Sequence, residues 1–229
     1  MKKVLFIALV LITTIVSAQY TESLTSDRPG QALSTGTVGK NVFQIQVGVD
    51  YFDSSAQFYP SSYFRYGLSE GFELNSGFIL SGNNFGNELE VFTIGARFHL
   101  NKNRSKFQSS LQLSYDFGGI NNGAHVAYIL GSSLSENLSY TVNLGIDFDR
   151  DFAFNNGIYI FNLSYAFNSK MGIFIEPFGT FLNDSFQFNL DSGFYYLLNN
   201  NLQLDVLIGE SNGFFLGAGV TWRIPPKNK

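Results

Sequence analysis

The sequence predicts an all-β protein, a transmembrane antiparallel up-and-down β-barrel of about 12 strands. Three observations carry that prediction. Apolar and polar residues alternate strictly over long stretches, an export-type segment opens the chain, and the composition is aromatic-rich and charge-poor. The alternation is clearest in LSYTVNLGIDFD. Leu138, Tyr140, Val142, Leu144, Ile146 and Phe148 fall on one face, with Ser139, Thr141, Asn143, Gly145, Asp147 and Asp149 on the other. Period two is a strand with one apolar and one polar side. Strands of roughly 9–11 residues repeated in this manner between short turns span a bilayer as a closed barrel. Of the 229 residues, 17% are aromatic and only 14% charged, against about 25% charged in soluble domains.

The chain opens on Lys2 and Lys3, an apolar run from Val4 to Val16, and the small-residue site Val16-Ser17-Ala18 before Gln19. That is the layout of a cleavable signal peptide over 1–18, and the run is short of the roughly 20 residues that a membrane helix needs. Loss of Lys2 and Lys3 from 14 basic residues leaves 12 against 18 acidic, a net of −6. Nothing in that balance suggests nucleic acid as a partner. The absence of Cys rules out disulfides, thiolate metal sites and a cysteine nucleophile. An exported barrel of this composition points to the outer membrane of a Gram-negative bacterium.

Residues 19–39 differ from all that follows. TESLTSDRPGQALSTGTVGK is polar, holds Pro29 and several glycines, and has no period, so it reads as an extended arm or plug segment at the periplasmic mouth. The barrel is expected over 40–229. Its first strand places Phe43, Ile45, Val47, Val49 and Tyr51 opposite Gln44, Gln46, Gly48 and Asp50. Ser26-Asp27-Arg28-Pro29, the entry Val38-x-Lys40-x-x-Phe43-Gln44 and the stretch Arg65-Tyr66-Gly67-Leu68-Ser69-Glu70-Gly71-Phe72-Glu73-Leu74 together resemble a family of bacterial outer-membrane proteins. That family is named for the meta-pathway of phenol degradation, and its members are often labelled transporters. The resemblance implies a barrel and a transport role. Its specific motifs, with Asp27, Arg28 and Pro29 at their head, cover only the first third of the chain, and no phenol chemistry is visible in the residues.

Further strands are expected at Tyr63–Leu68, Phe72–Ser81, Glu88–Leu100, Phe107–Phe117, Ala124–Leu134, Leu138–Asp149, Ile158–Phe167, Gly172–Phe181, Phe186–Leu197, Leu202–Gly209 and Phe214–Ile224. Twelve is even, as single-chain bacterial barrels require; ten is the next count, because Pro60 and Pro177 interrupt the pattern. Turns alternate in character. Those at Ser69–Gly71, Ser135–Asn137, Ser169–Lys170 and Asn199–Asn201 are tight and polar, as periplasmic turns are. Those at Gly82–Asn87, Gly118–Gly123, Arg150–Gly157 and Glu210–Gly213 are rich in Gly and Asn and somewhat longer, as external loops are, yet short for a receptor or adhesin. In the last strand Gly219, Trp222 and Ile224 have a spacing that resembles the C-terminal signal read by the barrel-assembly machinery, although Pro225–Lys229 follow it.

The residues offer little catalytic chemistry. An outer-membrane lipase or acyltransferase needs a histidine base beside its nucleophile; only His99 and His125 are present, and both read as solvated strand-end residues. Two isolated histidines make no metal-ligand cluster, and no cofactor motif is seen. Gly217-Ala218-Gly219 lies in a strand, where glycine lets the backbone bend or neighbours pack. What remains is the lumen. Polar strand positions collect Asp50, Arg65, Glu73, Arg97, Asp116, Asp147, Glu176, Asp191, Asp205 and Arg223, none of which could face lipid cheaply. They either line a narrow conduit or hold a small barrel shut. Two readings follow: a channel or transporter for small, apolar or aromatic molecules, and a non-transporting structural or interaction barrel.

Overall fold

A computed structural model describes residues 21–82, 88–101, 105–118, 122–182 and 185–226. The expected signal segment lies outside the described residues, as do the tips of several loops. The elements are β1 (Phe43–Phe52), β2 (Gln57–Ser69), β3 (Phe72–Ser81), β4 (Glu88–His99), β5 (Phe107–Phe117), β6 (Gly123–Ser133) and β7 (Leu138–Asp149). After these come β8 (Phe154–Ala166), β9 (Met171–Leu182), the two-residue β10 (Ser185–Phe186), β11 (Asn189–Asn199), β12 (Leu202–Glu210) and β13 (Phe214–Ile224). Each long strand pairs antiparallel with its neighbours in sequence, and β10 only folds back on β9. β13 returns to β1 in register from Phe43↔Ile224 to Phe52↔Phe215. The sheet is therefore a closed barrel of 12 strands, which leaves no edge exposed.

The packing is inside-out relative to a soluble domain. Among the described residues, buried side chains are mostly polar or charged, including Gln44, Gln46, Arg65, Glu73, Arg97 and Thr221. Large apolar residues cover the outside: Leu144 is 55% exposed, Ile208 54% and Trp222 52%. In β7 the faces separate as the period-two pattern predicts, with Asn143, Gly145 and Asp147 inward and Leu144 and Ile146 outward. An apolar band on such strands is a lipid-facing surface.

Strand bounds depart from expectation where local composition hides the period. β2 starts at Gln57, six residues before the expected Tyr63. Pro60 pairs only with β1, at Val49, and pairing with β3 begins at Ser61, so the missing N–H falls where the strand has one partner. β8 starts at Phe154 through the polar Asn155-Asn156, beside a register shift in β7. Phe186 belongs to the short β10, and the wall strand after it begins at Asn189. Pro177 sits within β9, and the β8–β9 ladder skips the positions around it, as expected where a donor is missing.

The two faces of β7 give the first test. Leu144→Arg, at the middle of the strand and facing out, should impair assembly strongly, because a central lipid-facing arginine costs about 2–4 kcal/mol. Tyr140→Arg, two residues from the turn, should impair it less. The measurement is the fraction of protein that migrates as the compact, unboiled species on a gel.

Candidate functional site: the lumen and its arm

Residues 21–42 contain no strand. They lie inside the barrel, against the inner face of the half that carries the tight turns, so the Arg and Glu residues of the wall meet partners supplied by the arm. Asp27 is the centre. Arg97 Nη1 and Nη2 donate to its two carboxylate oxygens at 3.1 and 2.9 Å, a bidentate fork. Arg65 Nη1 lies 3.3 Å from Asp27 Oδ2, and Arg65 also forks onto Glu73 at 2.8 and 3.0 Å. Ser34 donates to Asp27 from both its backbone N–H and its hydroxyl at 2.7 Å, which closes the arm into a loop. Burial alone would raise the Asp27 carboxyl; Arg65 and Arg97 outweigh it and hold the group well below the usual carboxylate range.

The rest of the arm is seated by its backbone. Val38 N donates to Glu73 Oε2 at 2.9 Å, and Arg65 Nη2 donates to Gly36 O at 2.8 Å. His99 Nδ1 and the Ser110 hydroxyl both meet Thr35 O. The amides of Gln31 and Ala32 donate to Glu176, and Leu33 N donates to Asn143 Oδ1 at 2.7 Å. Arg223 donates to Thr21 O and Glu22 O, both at 2.8 Å. An irregular backbone inside a membrane protein has to be satisfied in this way.

Arg28 extends along the adjoining wall of β1, β13 and β12. Its Nε and Nη2 each lie 3.3 Å from Asp205 Oδ1, and its guanidinium covers Gly48 and Gly219, where any Cβ would collide with it. Asp50 similarly occupies the space over Gly217. The glycines of Gly217-Ala218-Gly219 therefore clear room for inward side chains, a more specific role than the bending or packing expected from sequence. Gly219 faces the arm, while Trp222 and Ile224, the other residues of the expected assembly signal, face outward.

The ten lumen candidates are thus distributed over three neighbourhoods. Arg65, Glu73 and Arg97 surround Asp27, and Arg223 holds the start of the arm. Glu176, Asp191, Asp205 and Asp50 belong to the wall near Arg28, with Glu176 directly opposite Asp191 across β9 and β11. Asp116 and Asp147 flank His125 in the half away from the arm: Nδ1 is 2.6 Å from Asp147 Oδ1, and Nε2 is 3.0 Å from Asp116 Oδ2. Neither histidine is the solvated strand-end residue that the sequence suggested. His99 is 9% exposed because Thr35 of the arm covers it, and His125 is enclosed by two carboxylates. Sequence reasoning also passed over Phe174, Leu207 and Phe215, which form an apolar cluster inside the barrel with Phe52 and Phe178 packed against it.

The arm does not fill the lumen. A cavity of about 410 Å³ remains between it and the wall formed by β7, β8, β9, β11 and β12. Ser26, Arg28 and Leu33 line one side; Asn162, Glu176 and Tyr195 line the other. The turn residues Asn168 and Ser169 stand at its tight-turn end.

No protein-family model matches the chain, and no curated protein matches it in sequence. Solved structures do match in fold. A KdgM porin superposes with a TM-score of 0.67 at 17% identity, covering 78% of this chain and 98% of that one. The KdgM porin in complex with disordered oligogalacturonate gives 0.66 at 17% identity, with the same coverage. A NanC porin gives 0.61 at 9% identity, covering 79% of this chain and 100% of that one.

Docking through Asp27 predicts a pH dependence. Its folded-state pKa is depressed, so its stabilising contribution is present above the ordinary carboxylate pKa of about 3.9 and is lost as pH falls through the lower folded value. Protease protection of residues 21–39 in the detergent-solubilised barrel should therefore be constant from pH 8 down to about pH 5. Asp27→Ala, which leaves Arg65 and Arg97 without that partner, should expose the arm across the whole range.

Proposed function

We propose that the chain is an outer-membrane channel for small molecules, with its own N-terminal arm folded into the lumen as a constriction. The observation that carries this reading is the pairing of a docked arm with a residual 410 Å³ cavity along the opposite wall. A barrel closed only to be a structural shell would gain most from a completely packed interior. Here the arm is held to several strands of the wall by hydrogen bonds and ion pairs, and a space with a mixed polar and apolar lining is left beside it. The apolar exterior and the likeness to porin folds support insertion in an outer membrane. The basic-then-apolar start ending at Ala18 supports export by a cleaved signal peptide, and the outward Trp222 and Ile224 support delivery by the barrel-assembly machinery. The Ser26-Asp27-Arg28-Pro29 element, on which the resemblance to the family named for phenol degradation rests, supplies the charged pair that anchors the arm. The function needs no catalytic group, and none of the residues above is assigned one.

The packed Phe174, Leu207 and Phe215 cluster is the one feature that favours the alternative, a sealed structural barrel. Planar-bilayer conductance decides between them. The parent should conduct weakly in potassium chloride, and removal of residues 21–36 behind an intact signal segment should raise the unitary conductance. Silent membranes with both proteins, each shown to be folded by its heat-dependent gel shift, would establish the sealed barrel instead.

A further inference from the structure

Two successive residues of the arm carry opposite charges, and each is held by a patch of the wall with the complementary sign. Asp27 meets the guanidinium groups of Arg65 on β2 and Arg97 on β4, at 3.3 and 2.9 Å. Arg28 meets Asp205 on β12 at 3.3 Å. Asp205, Gly219 on β13 and Gly48 on β1 fall in one cross-strand row. The two glycines form a floor under the Arg28 guanidinium, where a Cβ at either position would collide with it. Asp50 lies two residues beyond Gly48 on the same face of β1.

These features belong to the wall and not to the arm. Set against Glu73, Arg65 and Arg97 leave one positive charge without a partner once Asp27 is withdrawn. The glycine floor, bordered by Asp205 and Asp50, is negative once Arg28 is withdrawn. An arginine fork accepts any carboxylate, and a carboxylate beside a cleared floor accepts a guanidinium or a compact amine. The cavity next to the arm is lined by both Asp27 and Arg28, so a solute within it lies against the pair that fills these two seats.

We infer that Asp27 and Arg28 stand in for a zwitterionic solute, and that the wall beneath them binds small molecules carrying both a carboxylate and a guanidinium or amine. Amino acids with basic side chains and short peptides have this chemistry. The passage of such solutes rests on the channel reading above; the binding site does not. A solute displaces the pair by making the same contacts, with its carboxylate on Arg65 and Arg97 and its cation on Asp205 over the glycine floor. A solute with one charge replaces half of the pair and leaves the other patch uncompensated, which is costly away from bulk water. The arm is then an autoinhibitory element, relieved by the solute that fits its seat.

The full-chain Asp27→Ala, Arg28→Ala variant vacates both seats, and titration calorimetry on the detergent-solubilised barrel reads what fills them. The probes are acetyl-aspartyl-arginine amide, acetyl-asparaginyl-arginine amide and acetyl-aspartyl-glutamine amide, a zwitterion, a cation and an anion of matched shape. The zwitterion should bind saturably and about tenfold more tightly than either analogue, in keeping with one charge-assisted contact. The parent should show the same order of preference with weaker binding, because its arm competes. Arg97→Gln added to the variant should bring the zwitterion to the level of the cation, and Asp205→Asn to that of the anion. Each protein is first checked for its heat-dependent gel shift. If the alanine pair fails to fold, the near-isosteric Asp27→Asn, Arg28→Gln pair removes the same charges, and the probe series on the parent stands by itself. Equal binding of the three probes, no binding of the zwitterion, or a preference that survives Arg97→Gln and Asp205→Asn in folded variants overturns the inference. Potassium chloride conductance without a zwitterion preference would remove this inference and leave the channel; zwitterion binding with silent membranes would do the reverse.

Discussion

A guanidinium buried in the wall of a barrel must be neutralised from within, because lipid lies on the other side and water has been displaced. Arg65 and Arg97 stand on neighbouring hairpins with almost no exposure. Glu73 can pair fully with Arg65, but Arg97 has only a 3.8 Å approach to it. Asp27 supplies the second carboxylate, and it comes from outside the sheet. Removing one member of such a buried set leaves an uncompensated charge, at a cost of about 3–5 kcal/mol. The arm is thus bound into the fold at Asp27, with further contacts to Arg223, Glu73, Glu176 and Asn143 seating the residues on either side.

The anchor also sets the shape of the lumen. With Asp27 fixed on β2 and β4, Arg28 projects toward Asp205 across the glycines at 48 and 219. The Gly30–Ala32 backbone then meets Glu176. This route leaves the inner faces of β7, β8 and β11 partly uncovered, and the cavity lies there. A single acidic residue in a mobile-looking, Gly- and Pro-containing stretch determines where a solute could sit. Of the remaining carboxylates on that wall, Glu176 is satisfied by the amides of Gln31 and Ala32 and by Asn162, so it seats the arm by hydrogen bonds where Asp27 does so by ion pairs.

Much of the barrel was legible because lipid imposes a period that soluble folds blur. Phe107–Phe117, Leu138–Asp149 and Phe214–Ile224 have the bounds that their alternation predicts. Legibility fell where the inward and outward residues were alike, as in the polar, Pro60-containing start of β2. Inward orientation of Arg65, Glu73 and Arg97 could be read from parity, but their partners could not. Pairing depends on where a non-periodic segment docks, and nothing in SDRPGQALSTG carries a period to place it. Gly48 and Gly219 do hold a trace of the arm, since two glycines on the inward parity of neighbouring strands leave room for a side chain from elsewhere. His99 was misread because its cover, Thr35, lies 64 residues away.

The docked arm is tested most directly by a covalent link between arm and wall. Ser26 Oγ lies 2.7 Å from Thr221 Oγ1, and the chain contains no cysteine, so a Ser26→Cys, Thr221→Cys pair reports on this contact alone. With the double variant assembled in the outer membrane, neither thiol should react with a maleimide until a reductant is added, after which both should. Ready labelling of both thiols without reductant, in a barrel that is folded, would show that the arm does not lie where Asp27 is said to hold it.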